Sequence, residues 1–144
     1  MQQVDSAIEQ RLTSAGIRYT NGRRALVATL FKVDGPRSAA EIHADLAGSI
    51  PLSSLYRSLT VLTEAGILAT HHGQTGVMSF ELAEWITGHH HHLVCVSCGA
   101  VIDATPVKAQ ERTMGRLVEA MASAYGFEAS DHRFEIEGTC ASCR

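Results

Sequence analysis

Residues 51–82 read PLSSLYRSLTVLTEAGILATHHGQTGVMSFEL, and this stretch decides the fold. Pro51-Leu52-Ser53 has the form of a helix start. Leu55, Leu59 and Leu62 recur at the three- and four-residue spacing that puts them on one helix face, and Gly66 stops the helix. Residues 67–70 and 78–82 then read as two strands about a turn at 73–76, a β-hairpin. Three further helices precede this stretch. Residues 4–15 carry Ile8 and Leu12 on one face and end at Gly16. Residues 21–33 carry Leu26, Val27, Leu30 and Phe31 and are stopped by Asp34-Gly35-Pro36. Residues 38–47 open on Ser38 with Glu41 at the capping-box position. Helices followed by a two-stranded hairpin predict a winged helix-turn-helix, with residues 53–65 as the helix that would enter a DNA groove.

The second half changes character. Residues 93–96 and 100–104 read as strands flanking a Cys-x-x-Cys turn. Residues 107–125 form a long amphipathic helix with Met114, Leu117, Val118 and Met121 apolar, ended by Gly126. Residues 133–137 alternate polar and apolar and read as a strand. The expected chain is α+β: a winged helix over 1–84, a hinge at 85–88 and a small α/β domain over 89–144.

Composition agrees with an ordinary soluble chain. It has 144 residues, 45% hydrophobic and 19% charged, with a formal net charge of −3. That length suits one compact domain or two small ones. No apolar run reaches about 18 residues, so no membrane-spanning helix is expected. The opening MQQVDSAIEQ has neither a basic nor an apolar signal region, so a cytoplasmic location is expected. Residues 1–85 carry seven Lys/Arg against eight Asp/Glu, and residues 86–144 five against seven. Neither half advertises a nucleic-acid partner by charge. Between Gln10 and Val33, however, Arg11, Arg18, Arg23, Arg24 and Lys32 occur with no acidic residue, and phosphate contacts need only a local patch. The start of the groove-entering helix offers Ser53, Ser54, Tyr56 and Arg57, groups suited to base edges and phosphates. The alternative is that Ser53 caps the helix and Tyr56 packs.

All four cysteines fall in two Cys-x-x-Cys pairs, Cys95/Cys98 and Cys140/Cys143. Without an export signal, metal binding is a better reading than disulfides, and a redox dithiol needs only one pair. Two such turns supply the four thiolates of a closed tetrahedral zinc site. Four of the eight histidines form the run His89 to His92, three residues before Cys95. In an extended chain, His90 and His92 face one way and His89 and His91 the other. One run would then feed two metal sites, with Glu81, Asp103, Glu111 and His132 as the partners to hand. The alternative is a solvated histidine loop with adventitious affinity.

Several stretches together resemble the ferric uptake regulator superfamily of metal-sensing repressors. They are Thr20-Asn21-Gly22-Arg23-Arg24, Leu55-Tyr56-Arg57-Ser58-Leu59 with Ala65-Gly66, Phe80-Glu81-Leu82, the run from His89 to Cys95, Cys98-Gly99 and Gly138-Thr139-Cys140. The resemblance spans nearly the whole chain. It implies a homodimer whose winged helices bind a double-stranded operator with an inverted repeat, Arg23 among the DNA-facing residues. It implies neither an enzyme nor a small organic substrate. By position, Cys95, Cys98, Cys140 and Cys143 match the structural zinc ligands. Glu81, His90, His92 and Asp103 match a hinge site, and His89, His91 and His132 match a second site. Counting without gaps from Cys98 puts the carboxylate of that second site on Gln110; a one-residue shift gives Glu111.

Two departures from the superfamily pattern bear on the metal. A histidine often found before the third helix is replaced by Gly35-Pro36-Arg37, leaving His71 or His72 on the wing to complete the hinge site. The Asp and Cys common around the wing of zinc sensors are nearest to Ala69 and Ala83. His91 stands where iron and manganese sensors often carry Asp, and imidazole-rich sites favour zinc over harder ions. Phe80-Glu81-Leu82 has the iron-sensor form. Zinc is therefore the favoured corepressor, with iron, manganese, nickel or peroxide sensing as alternatives. Outside this class stand a metal store or chaperone and a small zinc enzyme, the latter without a His-Glu-x-x-His helix.

Overall fold

The computed structural model describes residues 2–72 and 76–144 and divides into two units, the first ending at Gly88 and the second running His89–Arg144. In the first unit, helices α1 (Gln2–Ser14), α2 (Asn21–Leu30), α3 (Ala39–Asp45) and α4 (Leu52–Glu64) surround one apolar cluster. Ile8 and Leu12 of α1, Leu26 of α2, Ile42 of α3 and Leu55 and Leu62 of α4 have no exposed surface. The spacing that makes each helix amphipathic thus points each stripe at a common centre. Ser38 closes a capping box on α3: its hydroxyl accepts the Glu41 N–H at 3.3 Å, and its own N–H donates to Glu41 Oε2 at 2.8 Å. The wing strands β2 (Leu68–His72) and β3 (Met78–Leu82) pair antiparallel, Leu68 opposite Leu82. The turn expected at 73–76 lies largely outside the described residues.

The structure departs from expectation at several element ends. Arg37–Ser38 forms a third strand, β1, against Ser79–Phe80, giving the sheet order β1-β3-β2. Helix α2 stops at Leu30, three residues early, and α3 at Asp45. Pro51, not Ser53, caps α4, and no side chain accepts there. The expected hinge at 85–88 is largely a short helix, α5 (Glu84–Thr87). A four-residue helix leaves no periodic signature, which is why the sequence reads as a linker.

In the second unit, β4 (His91–Cys95) is the middle strand of the order β5-β4-β6. It pairs antiparallel with β5 (Val101–Ala104) and parallel with β6 (Glu135–Gly138). It starts two residues earlier than expected, so His91 and His92 belong to the sheet. The long α6 (Lys108–Ala124) begins where the Gln110 side chain accepts the Val107 N–H at 3.0 Å. None of its residues is buried.

Candidate functional site

The parallel pairing of β4 and β6 sets Cys95 beside Gly138 and so brings the two Cys-x-x-Cys turns together. The Val96 N–H donates to the Gly138 carbonyl at 2.9 Å. All four cysteines are free thiols, and their sulfur atoms all lie within 4.8 Å of one another. Cys98 Sγ and Cys140 Sγ are 3.8 Å apart. Thiolates about 2.3 Å from one zinc ion sit about 3.8 Å from each other, so the spacing fits a tetrahedral ion and not a disulfide. The backbone N–H groups of Cys140 and then Cys98 lower the Cys95 thiol to about 6. Hydrogen bonds to Cys140 and Cys98 push Cys143 up to about 12. Thiolates this close repel one another, and a divalent cation among them would offset that repulsion.

A second cluster lies in the same unit. His89, His91, Glu111 and His132 offer ligand atoms within 4.8 Å of one another. His91 Nε2 is 3.2 Å from Glu111 Oε2; His89 Nε2 and His132 Nε2 are 3.4 and 3.3 Å from Glu111 Oε1. His132 Nε2 is buried yet makes no hydrogen bond to that nearby carboxylate. It lies within 4.8 Å of the ligand atoms of His89, His91 and Glu111. Three imidazoles and one carboxylate around a common point are a fitting donor set for zinc. Gln110 is occupied in closing the start of α6, so Glu111 is the residue that faces the histidines.

Strand alternation puts His92 on the other face of β4, directly opposite Asp103, with His92 Nε2 3.6 Å from Asp103 Oδ1. His90 joins it there, the two rings 5.2 Å apart. Glu81 belongs to the first unit. It is buried on β3, where Oε1 meets His71 Nε2 at 2.7 Å. Ala69 pairs with Glu81, so His71, two residues on, shares the Glu81 face, whereas His72 is exposed at the strand end. Of the two wing histidines, only His71 stands beside Glu81.

On α4, Leu55, Ser58, Leu59 and Leu62 face the core. Ser53, Tyr56 and Arg57 are exposed and Ser54 half-buried, Arg57 Nη2 lying 3.4 Å from Ser54 Oγ. Tyr56 is 53% exposed. The basic patch is smaller than the sequence implies. Arg24 bonds Asp5 at 2.5 Å and Glu9 at 2.6 Å and lies 4.1 Å over the Tyr19 ring, tying α2 to α1. Arg11 is engaged with the Ala65 carbonyl and Trp85. Arg23 donates to the Arg18 carbonyl and keeps its place on α2. The partners of Arg11 and Arg24 are distant in sequence, so no local pattern marks them as structural.

The ferric uptake regulator family model matches residues 14–137. A zinc uptake regulation protein from Mycobacterium tuberculosis is 34% identical over 136 residues, covering 92% of this chain and 99% of its own length. A ferric uptake regulation protein from Vibrio vulnificus is also 34% identical, over 142 residues, covering 94% and 90%. The solved ferric uptake regulator of Vibrio cholerae superposes with a TM-score of 0.71 at 30% identity, over 92% of this chain and 98% of that one. A zinc regulator and an iron regulator are thus equally similar, and overall likeness does not choose the metal. The chain belongs to the ferric uptake regulator family of metal-responsive transcriptional repressors.

Proposed function

We propose that the protein is a homodimeric repressor that binds an inverted-repeat operator when zinc occupies a regulatory site, with a second, structural zinc held by Cys95, Cys98, Cys140 and Cys143. The observation that carries this reading is the convergence of His89, His91, Glu111 and His132 separately from the cysteine cluster. A purely structural zinc protein has no need of a second, imidazole-rich donor set. Three nitrogens to one carboxylate favour zinc over manganese or iron at this set; the separate hinge donors, two imidazoles and two carboxylates, do not choose by themselves.

The regulatory device is a metal bridge across the hinge. Glu81 lies before the boundary at Gly88, and His90, His92 and Asp103 lie after it. An ion held by all four would fix the angle between the winged helix and the second unit. In a dimer, that angle sets the distance between two α4 helices, which must match major-groove half-sites. Metal then favours the DNA-binding shape, and by linkage DNA tightens metal binding by the same factor. His71, hydrogen-bonded to Glu81, is placed to orient that carboxylate or to join it as a ligand. Tyr56, Arg57, Ser53 and Ser54 on α4, with Arg23 on α2, would face DNA. The second unit supplies the dimer contact: Leu117 and Met121 of α6 are 57% and 60% exposed, a large apolar surface for a regulator to leave in water.

One observation favours iron or manganese as a second reading. The hinge set pairs two carboxylates, Glu81 and Asp103, with two imidazoles, and is harder than the His3Glu set. Elemental analysis after mild chelation, followed by separate zinc, iron and manganese additions, distinguishes the readings. The expected result is one retained zinc per chain plus exchangeable zinc, with His90→Ala folding normally, keeping the retained zinc and losing the DNA response. No uptake beyond the retained zinc would defeat the sensor reading. Preferential uptake of iron would replace zinc as the signal.

A further inference from the structure

The chain passes from the first unit to the second at Gly88–His89. The helix before that point, α5, is fastened to the first unit in three ways. Ile86 packs against the core cluster. The Trp85 indole N–H donates to the Gly66 carbonyl at 2.8 Å. The Arg11 guanidinium lies 5.4 Å over the Trp85 ring while its Nε donates to the Ala65 carbonyl at 2.7 Å. Ala65 and Gly66 directly follow α4, the helix that presents Tyr56 and Arg57. Three elements distant in sequence therefore meet at one point: α1, the end of α4 and α5.

The meeting is close-fitting. Gly66 has φ +66°, and a Cβ there would stand 2.9 Å from Arg11 Nη2. The Ala83 N–H donates to the Ile67 carbonyl at 3.0 Å and joins β3 to the residue that follows this corner. Gly88 is different. Its φ of 90° and ψ of 164° belong to a region that glycine adopts and other residues resist, and an added Cβ would meet nothing within 4 Å.

We infer that Arg11 and Trp85 make α5 a rigid arm of the winged helix, so that the pivot between the units is Gly88–His89 alone. Both are positioning residues; neither is a metal ligand or a DNA contact. A body is oriented by at least two attachments. With the arm rigid, a metal bridge at Glu81 and the pivot at Gly88 together define where α4 points. With the arm loose, only the bridge does, and metal binding selects a broader range of α4 orientations. This role rests on the metal-bridge reading; the rigidity of the arm does not.

Two conservative variants of the full-length, zinc-retaining protein test it. Trp85→Phe keeps a ring beneath Arg11 but removes the N–H donor, and Arg11→Lys keeps the charge but loses the fork that spans Ala65 and Trp85. Amide hydrogen exchange is read at Ile86 and Gly88, whose N–H groups donate to Ala83 and Glu84 at 2.8 and 2.7 Å. The ratio of affinities for a selected DNA duplex is read with and without regulatory zinc. In both variants exchange at these amides is expected to accelerate, and the affinity ratio to fall about tenfold, a typical size for coupling between sites. Zinc affinity without DNA should stay unchanged. Wild-type exchange in both variants overturns the rigid arm. Faster exchange with an unaltered ratio overturns the positioning role. A wild-type protein with no zinc effect on DNA binding refutes the sensor reading itself, and the arm is then decided by exchange alone.

Discussion

The two units meet the same folding requirement by different means. Among the described residues, the first buries fifteen apolar side chains in one cluster drawn from α1 to α4 and the wing. In the second, Cys95 and His91 are the buried residues, and both belong to ligand clusters. Leu93, Ile102, Phe134 and Ile136 of its sheet region and Leu117 and Met121 of α6 remain exposed. A unit so small and so poor in core resembles the domains that depend on cross-links, metals or partners for stability. The first unit is thus held by its own apolar core, whereas the second buries little of its own apolar surface.

The largest expected effect breaks the comparison if it fails. Stripping the cysteine zinc with a strong chelator should unfold the second unit and leave the first helical, because structural zinc at such sites contributes about 10–16 kcal/mol of apparent folding free energy. Hydrogen exchange resolved along the chain reads both units at once; simultaneous loss of protection in both would show that they are not independent. A smaller effect belongs to the first unit. Leu59 is 1% exposed, and Leu59→Ala should cost about 2–5 kcal/mol in denaturant unfolding. The retained zinc should stay at wild-type stoichiometry. The smallest effect concerns the exposed face of α6. Leu117→Glu should leave monomer folding intact and raise the dimer dissociation constant at least about tenfold, near 1.4 kcal/mol, in sedimentation equilibrium. An unchanged constant would place the dimer contact elsewhere.

What the sequence made legible followed from local periodicity. Leu55, Leu59 and Leu62 mark α4 because they recur at helical spacing, and the histidine run divides between two faces because a strand alternates. The corner joining Arg11, Gly66 and Trp85 left no such mark, since it links residues 54 and 19 positions apart. Strand β1 is two residues long and finds its partner more than forty residues later, so no local pattern announces it. The choice between Gln110 and Glu111 turns on one helical position, about 100° of rotation. In the structure Gln110 accepts the Val107 N–H, and Glu111 lies beside the histidines. Arg24 read as part of a basic patch because Asp5 and Glu9, its ion-pair partners, lie on another helix.

A metal bridge across the hinge would couple metal binding to DNA binding. The most direct test is the zinc affinity of the regulatory site, by competition with a chromophoric chelator, with and without a saturating duplex selected by the zinc-loaded protein at fixed salt. The duplex should tighten zinc binding by the same factor that zinc tightens duplex binding, and His90→Ala should abolish both changes together. Equal zinc affinities in the two conditions would contradict it.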